Sequence, residues 1–272
     1  MRADVNGAAI EYDVTGEGRP VVLLHGFPDS GRVWRHQVPA LSAAGFQVIV
    51  PDLRGYGRSD KPKDVESYAL EQMVDDVTGV LDHMGIERAH VVGHDWGAGL
   101  AWALASLRPG RVDHLVALSV GHLASYAAAG FEQRVKSWYV LLFQFEGVAE
   151  RWLSDNDWAN FRRMARHPDM EGVIADLESS GSLTPSLNWY RANLPAESWV
   201  TPVPAFAPVR VQAPTMGVWG DGDGALVEGQ MTGSQAYVDG PWRYERITGA
   251  GHWLQLEVPG TVNDLLIDFL PS

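Results

Sequence analysis

Gly93-His94-Asp95-Trp96-Gly97 is the stretch of this sequence best suited to chemistry. It follows an apolar run, Ala89–Val92, and leads directly into Trp96–Leu107, which reads as a helix. A strand that turns into a helix across Gly-x-Asp-x-Gly exposes one side chain at its apex. The glycines remove side chains that would clash in the turn. The helix aims its first N–H groups at the exposed group. Here that group is a carboxylate, ionised at neutral pH with a pKa near ~4, so no base is needed to activate it. It suits attack on a saturated, electrophilic carbon rather than acyl transfer. The product is an alkyl ester of Asp95, and water must then hydrolyse that ester with the help of a base. An Asp between glycines is by itself most often a turn residue, so the rest of the chain has to carry the reading.

Two late segments supply the missing groups. Gly249-Ala250-Gly251-His252-Trp253 follows the strand-like run Trp242–Ile247. Of nine histidines, His252 alone lies in a glycine-flanked loop after a late strand, which makes it the candidate base. His94 adjoins Asp95 but points the other way from an elbow. His36, His83, His90, His114 and His167 read as surface or helix-end residues. The acid that orients His252 is expected in Gly220-Asp221-Gly222-Asp223-Gly224, after Thr215–Trp219. Asp223 has the favoured offset, and Asp221 is its competitor.

Around these residues the chain alternates strand and helix. Ala8–Val14, Pro20–Leu24, Phe46–Val50, Ala89–Val92 and Val112–Val120 read as strands, Pro20–Leu24 wholly apolar as a strand buried on both faces is. Val33–Ala44 and Tyr68–Met84 have helical spacing and stop at Gly45 and Gly85. Between 123 and 205 the rhythm breaks into helical, aromatic-rich sequence. Pro195, Pro202, Pro204 and Pro208 close that segment as a linker. Strand and helix return with Thr215–Trp219, Trp242–Ile247 and a last helix near Val262–Phe269. Such alternation implies a mostly parallel sheet flanked by helices. The expected division is core at 1–122, an inserted helical cap at 123–205 and core again at 206–272. Ligands of such sheets bind at the carboxyl ends of the strands, where a cap after Val112–Val120 would sit.

The motifs His25-Gly26-Phe27-Pro28, Gly93–Gly97, Gly55-Tyr56-Gly57-Arg58-Ser59, Asn188-Trp189-Tyr190-Arg191 and Gly251-His252-Trp253 together resemble the epoxide hydrolases of the α/β-hydrolase superfamily. Their order spans nearly the whole chain. The resemblance implies an α/β-hydrolase fold and the chain order nucleophile, acid, histidine. It implies that the backbone N–H groups of Phe27 and Trp96 form the oxyanion hole. It also implies two cap tyrosines that hold the epoxide oxygen. Tyr190, in Asn188–Arg191, matches one of them, and Tyr139, in Ser137–Gln144, fits the other more loosely. Phenols suit that task, because a neutral O–H of pKa near ~10 donates a hydrogen bond, then a proton, as the opening ring becomes an alkoxide. Asp52 and Arg54 are expected to fix loops near the site.

The rival within the same chemistry is a haloalkane dehalogenase using the same Asp95, His252 and water. It needs two N–H donors for a halide. The Trp96 indole could supply one; Phe27 has no side-chain donor, though a cap Trp could take its place, and such an enzyme has no need of Tyr139 and Tyr190. A non-catalytic binder on the same scaffold would be expected to have lost one of the three catalytic groups. No serine occupies the elbow. No nucleotide loop, metal-ligand cluster or basic stripe points to a cofactor, a metal or nucleic acid. A net charge of −13 also disfavours polyanions. The chain has 272 residues and no cysteine, so it has no disulfide. Met1–Gly16 lacks a signal pattern and no apolar run approaches a membrane span, so a cytoplasmic monomer or homodimer is expected. Five of its eleven tryptophans, Trp138, Trp152, Trp158, Trp189 and Trp199, fall in the middle segment and suggest an apolar cavity for a small apolar epoxide.

Overall fold

The computed structural model describes residues 1–199 and 209–272. Its centre is one sheet of eight strands: β1 (Arg2–Val5), β2 (Ala8–Thr15), β3 (Arg19–Leu24), β4 (Phe46–Pro51), β5 (Ala89–His94), β6 (Val112–Leu118), β7 (Thr215–Gly220) and β8 (Trp242–Ile247). They lie in the order β1-β2-β4-β3-β5-β6-β7-β8. β1 to β2 and β2 to β4 are antiparallel, and every other pairing is parallel. The chain winds outward from β3 to β4, then returns to place β5 on the other side of β3. A crevice opens where the winding reverses, outside the carboxyl ends of these two strands. The pairing Leu24↔Gly93 fixes the register there. It brings the loop after β3 and the loop after β5 side by side.

Helices α1 (Gln37–Ala43), α2 (Leu70–His83), α3 (Trp96–Leu107) and α12 (Pro259–Phe269) cover the sheet. Both sheet faces bury apolar side chains, one under α2 and α3, the other under α1 and α12. This is why Pro20–Leu24 in β3 reads as an unbroken apolar run rather than an alternating one. Between β6 and β7 stand α4 (Leu123–Ala128), α5 (Gly130–Lys136), α6 (Trp138–Phe143), α7 (Val148–Ala165), α8 (Met170–Ser180) and α9 (Leu183–Asn193). Short α10 (Glu228–Thr232) follows β7, and α11 (Leu254–Glu257) precedes α12. Among the described residues no helix is long and apolar enough to cross a membrane.

Several sequence expectations change. β1 was not expected. It pairs with β2 through a tight turn at Asn6 and Gly7, both with positive φ. The helix expected at Val33–Ala44 is a 3₁₀ turn, Gly31–Trp34, followed by α1. The one expected at Tyr68–Met84 begins only at Leu70, after a 3₁₀ turn at Val65–Tyr68. His90 and His167 are not surface residues: both are buried. His90 sits within β5 and donates from Nε2 to the Pro271 carbonyl at 3.0 Å. A polar ring tolerates that depth because it has an acceptor. Pro202, Pro204 and Pro208, and with them the end of the 123–205 segment, lie outside the described residues.

The helix carrying Tyr190 is fastened to the core. Asn193, three residues on in α9, donates to the Tyr68 carbonyl and accepts from the Leu70 N–H, each at 2.8 Å. Trp189 Nε1 donates to the Arg54 carbonyl at 3.0 Å. Arg54 in turn makes a bidentate pair with Asp76 at 2.8 and 2.6 Å, both side chains 4% exposed. Replacing Arg54 by Met leaves the Asp76 carboxylate buried with only Asn6 as a donor. Loss of one partner of a buried pair costs about 3–5 kcal/mol. We expect that loss as a lower urea midpoint at unchanged m-value. A midpoint equal to the parent's would show that the pair contributes nothing net.

Candidate active site

Asp95 is the first residue after β5, with φ 53° and ψ −123°. A non-glycine residue held there is strained, and it turns its side chain out of the sheet edge. The glycines around it are sterically required. A Cβ on Gly93 would lie 2.1 Å from the Gly97 carbonyl oxygen, and one on Gly97 would lie 2.0 Å from that of Leu24. A Cβ on Gly26 would lie 2.4 Å from Asp95 Oδ1. The loop after β3 therefore closes tightly on the elbow. Its Phe27 N–H donates to Asp95 Oδ1 at 2.8 Å. The Trp96 N–H is the first of α3, where no helical carbonyl is available to it. Asp95 thus sits against two backbone donors at the positive end of a helix.

His252 faces Asp95 from the loop after β8. Its Nε2 lies 3.5 Å from Asp95 Oδ2. Its Nδ1 lies 2.8 Å from Asp223 Oδ2. The other oxygen of Asp223 accepts the N–H groups of Ala225 and Leu226 at 2.8 and 2.9 Å. Asp223 is buried, and against the cost of burial His252 and these amides hold its pKa below the usual carboxylate value. Asp221 faces the other way. It accepts from the Gly249 N–H at 2.7 Å and lies 3.5 Å from Arg246, which makes it a turn residue. Burial pulls His252 toward the neutral form, but Asp223 first and Asp95 second raise its pKa well above the ordinary value.

Tyr139, on α6, and Tyr190, on α9, approach from the opposite side, their rings 6.1 Å apart. Burial raises both phenols well above their ordinary range. The Asp95 charge pushes the same way, directly after burial for Tyr190 and after Tyr126 for Tyr139. Both are therefore neutral donors across physiological pH. Tyr190 packs edge-on against Trp96 and Phe27, with centroids 5.1 and 5.6 Å apart. Phe27, Asp95, Tyr139, Tyr190 and His252 all line one cavity of about 680 Å³, whose outer wall includes Trp138 and Trp152. That volume suits a small organic substrate.

A family model described as the alpha/beta hydrolase fold matches residues 19–259. Epoxide hydrolase A of Mycobacterium tuberculosis is 34% identical, covering 98% of this chain and 95% of the relative. A crystal structure of epoxide hydrolase A from Mycobacterium thermoresistibile is 33% identical, with a TM-score of 0.83 over 99% of this chain and 97% of the other. An inhibitor complex of the Bacillus megaterium epoxide hydrolase superposes with a TM-score of 0.89 at 28% identity, over 100% of both chains. The chain belongs to the α/β-hydrolase family, in its epoxide hydrolase group. As an α/β-hydrolase it is a hydrolase with an aspartate where a serine enzyme would carry its hydroxyl.

Within this α/β-hydrolase, sequence reasoning missed the groups that hold His252 in place. The His252 carbonyl accepts from Ser119 Oγ at 2.7 Å and from His94 Nε2 at 2.9 Å. Burial, then the His252 charge, lowers the His94 pKa to about 4, so its ring is neutral. Glu257 accepts the N–H groups of Gly251 and Trp253 at 2.6 and 3.1 Å, one on each side of His252. Asp29, buried, accepts from Trp253 Nε1 at 3.0 Å and lies 3.1 Å from His167 Nε2. Asp29 follows Pro28 in sequence, but nothing in the sequence pairs it with His167 or Trp253. Asp52 and Arg54 do brace loops: Asp52 accepts from the Gly31 and Arg58 N–H groups, each at 3.1 Å. Of the five middle-segment tryptophans, Trp138 and Trp152 line the cavity. Trp158 and Trp189 instead donate to Glu178 and to the Arg54 carbonyl.

Proposed function

We propose that this chain hydrolyses epoxides to vicinal diols through an ester on Asp95. The observation that carries the reading is the placement of two neutral phenols, Tyr139 and Tyr190, on the same cavity as a strained, ionisable Asp95. The Asp95 carboxylate attacks the less hindered ring carbon. The C–O bond breaks, its electrons move onto oxygen, and that oxygen takes a proton from one of the two tyrosines. Water, deprotonated by His252, then adds to the Asp95 carboxyl carbon. The oxyanion that forms accepts hydrogen bonds from the Phe27 and Trp96 N–H groups. Its collapse releases the diol as His252 returns its proton to the leaving oxygen, the proton left on the new Asp95 carboxyl group passes to the tyrosinate, and Asp223 keeps the imidazole ring oriented throughout.

The segment 123–205 is proposed as a cap domain on a core formed by 1–122 and 206–272. It contributes Tyr139 and Tyr190, while the core contributes Asp95, Asp223 and His252. The names of the relatives support an epoxide as substrate, and the haloalkane alternative lacks a side-chain donor at Phe27.

A panel of epoxides and haloalkanes assayed side by side tests the reading. Turnover of epoxides and none of haloalkanes is expected. Removing a single oxyanion donor typically costs about 10²–10³ in kcat. The double variant Tyr139→Phe/Tyr190→Phe should lose at least that much epoxide turnover while keeping its circular dichroism spectrum. Retained turnover would make both tyrosines packing residues and return the haloalkane alternative.

A further inference from the structure

The cavity wall holds three cations that the proposed chemistry does not use. Lys136 at the end of α5, Arg163 in α7 and Arg166 just after α7 all line the same cavity as Asp95. Among the described residues none of the three has a carboxylate partner. The neighbouring Arg162 pairs with Glu171, Arg32 with Asp169 and Asp176, and Arg58 with Asp13 and Asp52.

Lys136 is also held in place. Its ammonium donates to the carbonyls of Asp223 and Leu226 at 2.6 and 3.1 Å. That uses two of its three N–H bonds and leaves one to offer. Among the described residues only two carboxylates line the cavity, Asp95 and Glu257. Both Glu257 oxygens already accept backbone N–H groups. Trp138, Trp152 and Met164 add apolar surface to the lining of the same cavity.

We propose that the preferred substrate is amphiphilic: an epoxide on an apolar stem that ends in a carboxylate, with Lys136, Arg163 and Arg166 receiving that carboxylate. This rests on the epoxide reading above and replaces the expectation of a wholly apolar substrate. Guanidinium groups pair with carboxylates through two parallel N–H bonds. A cavity lined with one sign of charge concentrates the opposite sign within it. Basic residues at the end of a helix also favour its dipole, but that role is indifferent to the charge of a ligand.

The test compares an aryl-alkyl epoxide ending in a carboxylate with its primary amide, a neutral molecule of the same size. At low ionic strength kcat/KM should favour the carboxylate by about 10-fold or more, mainly through KM. Added salt should shrink the preference, as screening demands. In Arg163→Gln/Arg166→Gln the ratio should fall toward one. In Arg134→Gln/Arg151→Gln, which removes equal charge away from the cavity wall, the ratio should stay.

Equal kcat/KM for the two substrates in the parent enzyme overturns the proposal and leaves the epoxide reading standing. Equal loss of the ratio in both double variants also overturns it, since the cause is then overall charge. If neither epoxide turns over, the epoxide reading fails by itself. Calorimetry with 4-phenylbutyrate and 4-phenylbutanamide then decides the proposal. Tighter binding of the acid in the parent, lost in Arg163→Gln/Arg166→Gln, supports it. Equal binding of acid and amide rejects it.

Discussion

Asp95→Ala should lose epoxide turnover by about 10⁴-fold or more, the scale on which removal of a nucleophile acts in related triads. The argument is one of geometry. Of the two carboxylates that line the cavity among the described residues, Asp95 sits at an elbow and takes one hydrogen bond, from the Phe27 N–H, whereas both oxygens of Glu257 are engaged by backbone amides. Alanine removes the nucleophile and fits the same small space, so the fold should persist. Oxygen labelling tests the step itself. One turnover in ¹⁸O-water should yield a diol without label, because its new oxygen comes from Asp95, and the label should appear in the Asp95 carboxylate. Label in the diol of the first turnover would mean that water attacks the ring directly. Asp95 would then be reassigned from nucleophile to base.

His252→Gln should separate the two halves of the reaction. Opening of the ring needs Asp95 and the phenols, while hydrolysis of the ester needs the base. General-base assistance contributes about 10²–10⁴-fold, so hydrolysis should slow by that much while alkylation continues. The ester then accumulates, and intact-protein mass spectrometry should show one added substrate mass. In the proposed mechanism the charges around His252 time the two steps. Asp223 and Asp95 together raise the His252 pKa and favour the imidazolium. Esterification neutralises Asp95 and withdraws one of those two supports, so the ring gives up its proton more readily at the step where a base is required. Absence of the added mass, with turnover lost, would place His252 in ring opening and contradict this division of labour.

Much of the site was legible because its chemistry is compressed into short loops between elements. The elbow requires glycine at 93 and 97 whatever the rest of the chain does, since a Cβ at either meets backbone at about 2 Å. That requirement appears as a local pattern. The alternation of buried strands and helices is equally local, and it led to the parallel sheet. Boundaries were less legible. The β1 strand has four residues and no alternation long enough to stand out. The starts of α1 and α2 are blurred by 3₁₀ turns that share helical spacing.

Partnerships between distant segments were not legible. His167 read as a surface or helix-end residue and is buried 3.1 Å from Asp29, because burial depends on what packs around it. The sequence favoured Asp223 by its offset after the strand but kept Asp221 as a competitor. Only the twist of the loop after β7 turned one toward His252 and the other toward Gly249.

The sequence by itself determined the class of chemistry: a carboxylate at a strand-to-helix elbow, a histidine in a late glycine-flanked loop, and a sheet whose strand ends bring loops together. Those features follow from residue type and local sterics. The tertiary structure decided which groups share the cavity, that two phenols stay neutral within it, and that Lys136, Arg163 and Arg166 line its wall without carboxylate partners. Those outcomes depend on desolvation and on charges contributed from across the fold, which no local pattern of residues encodes.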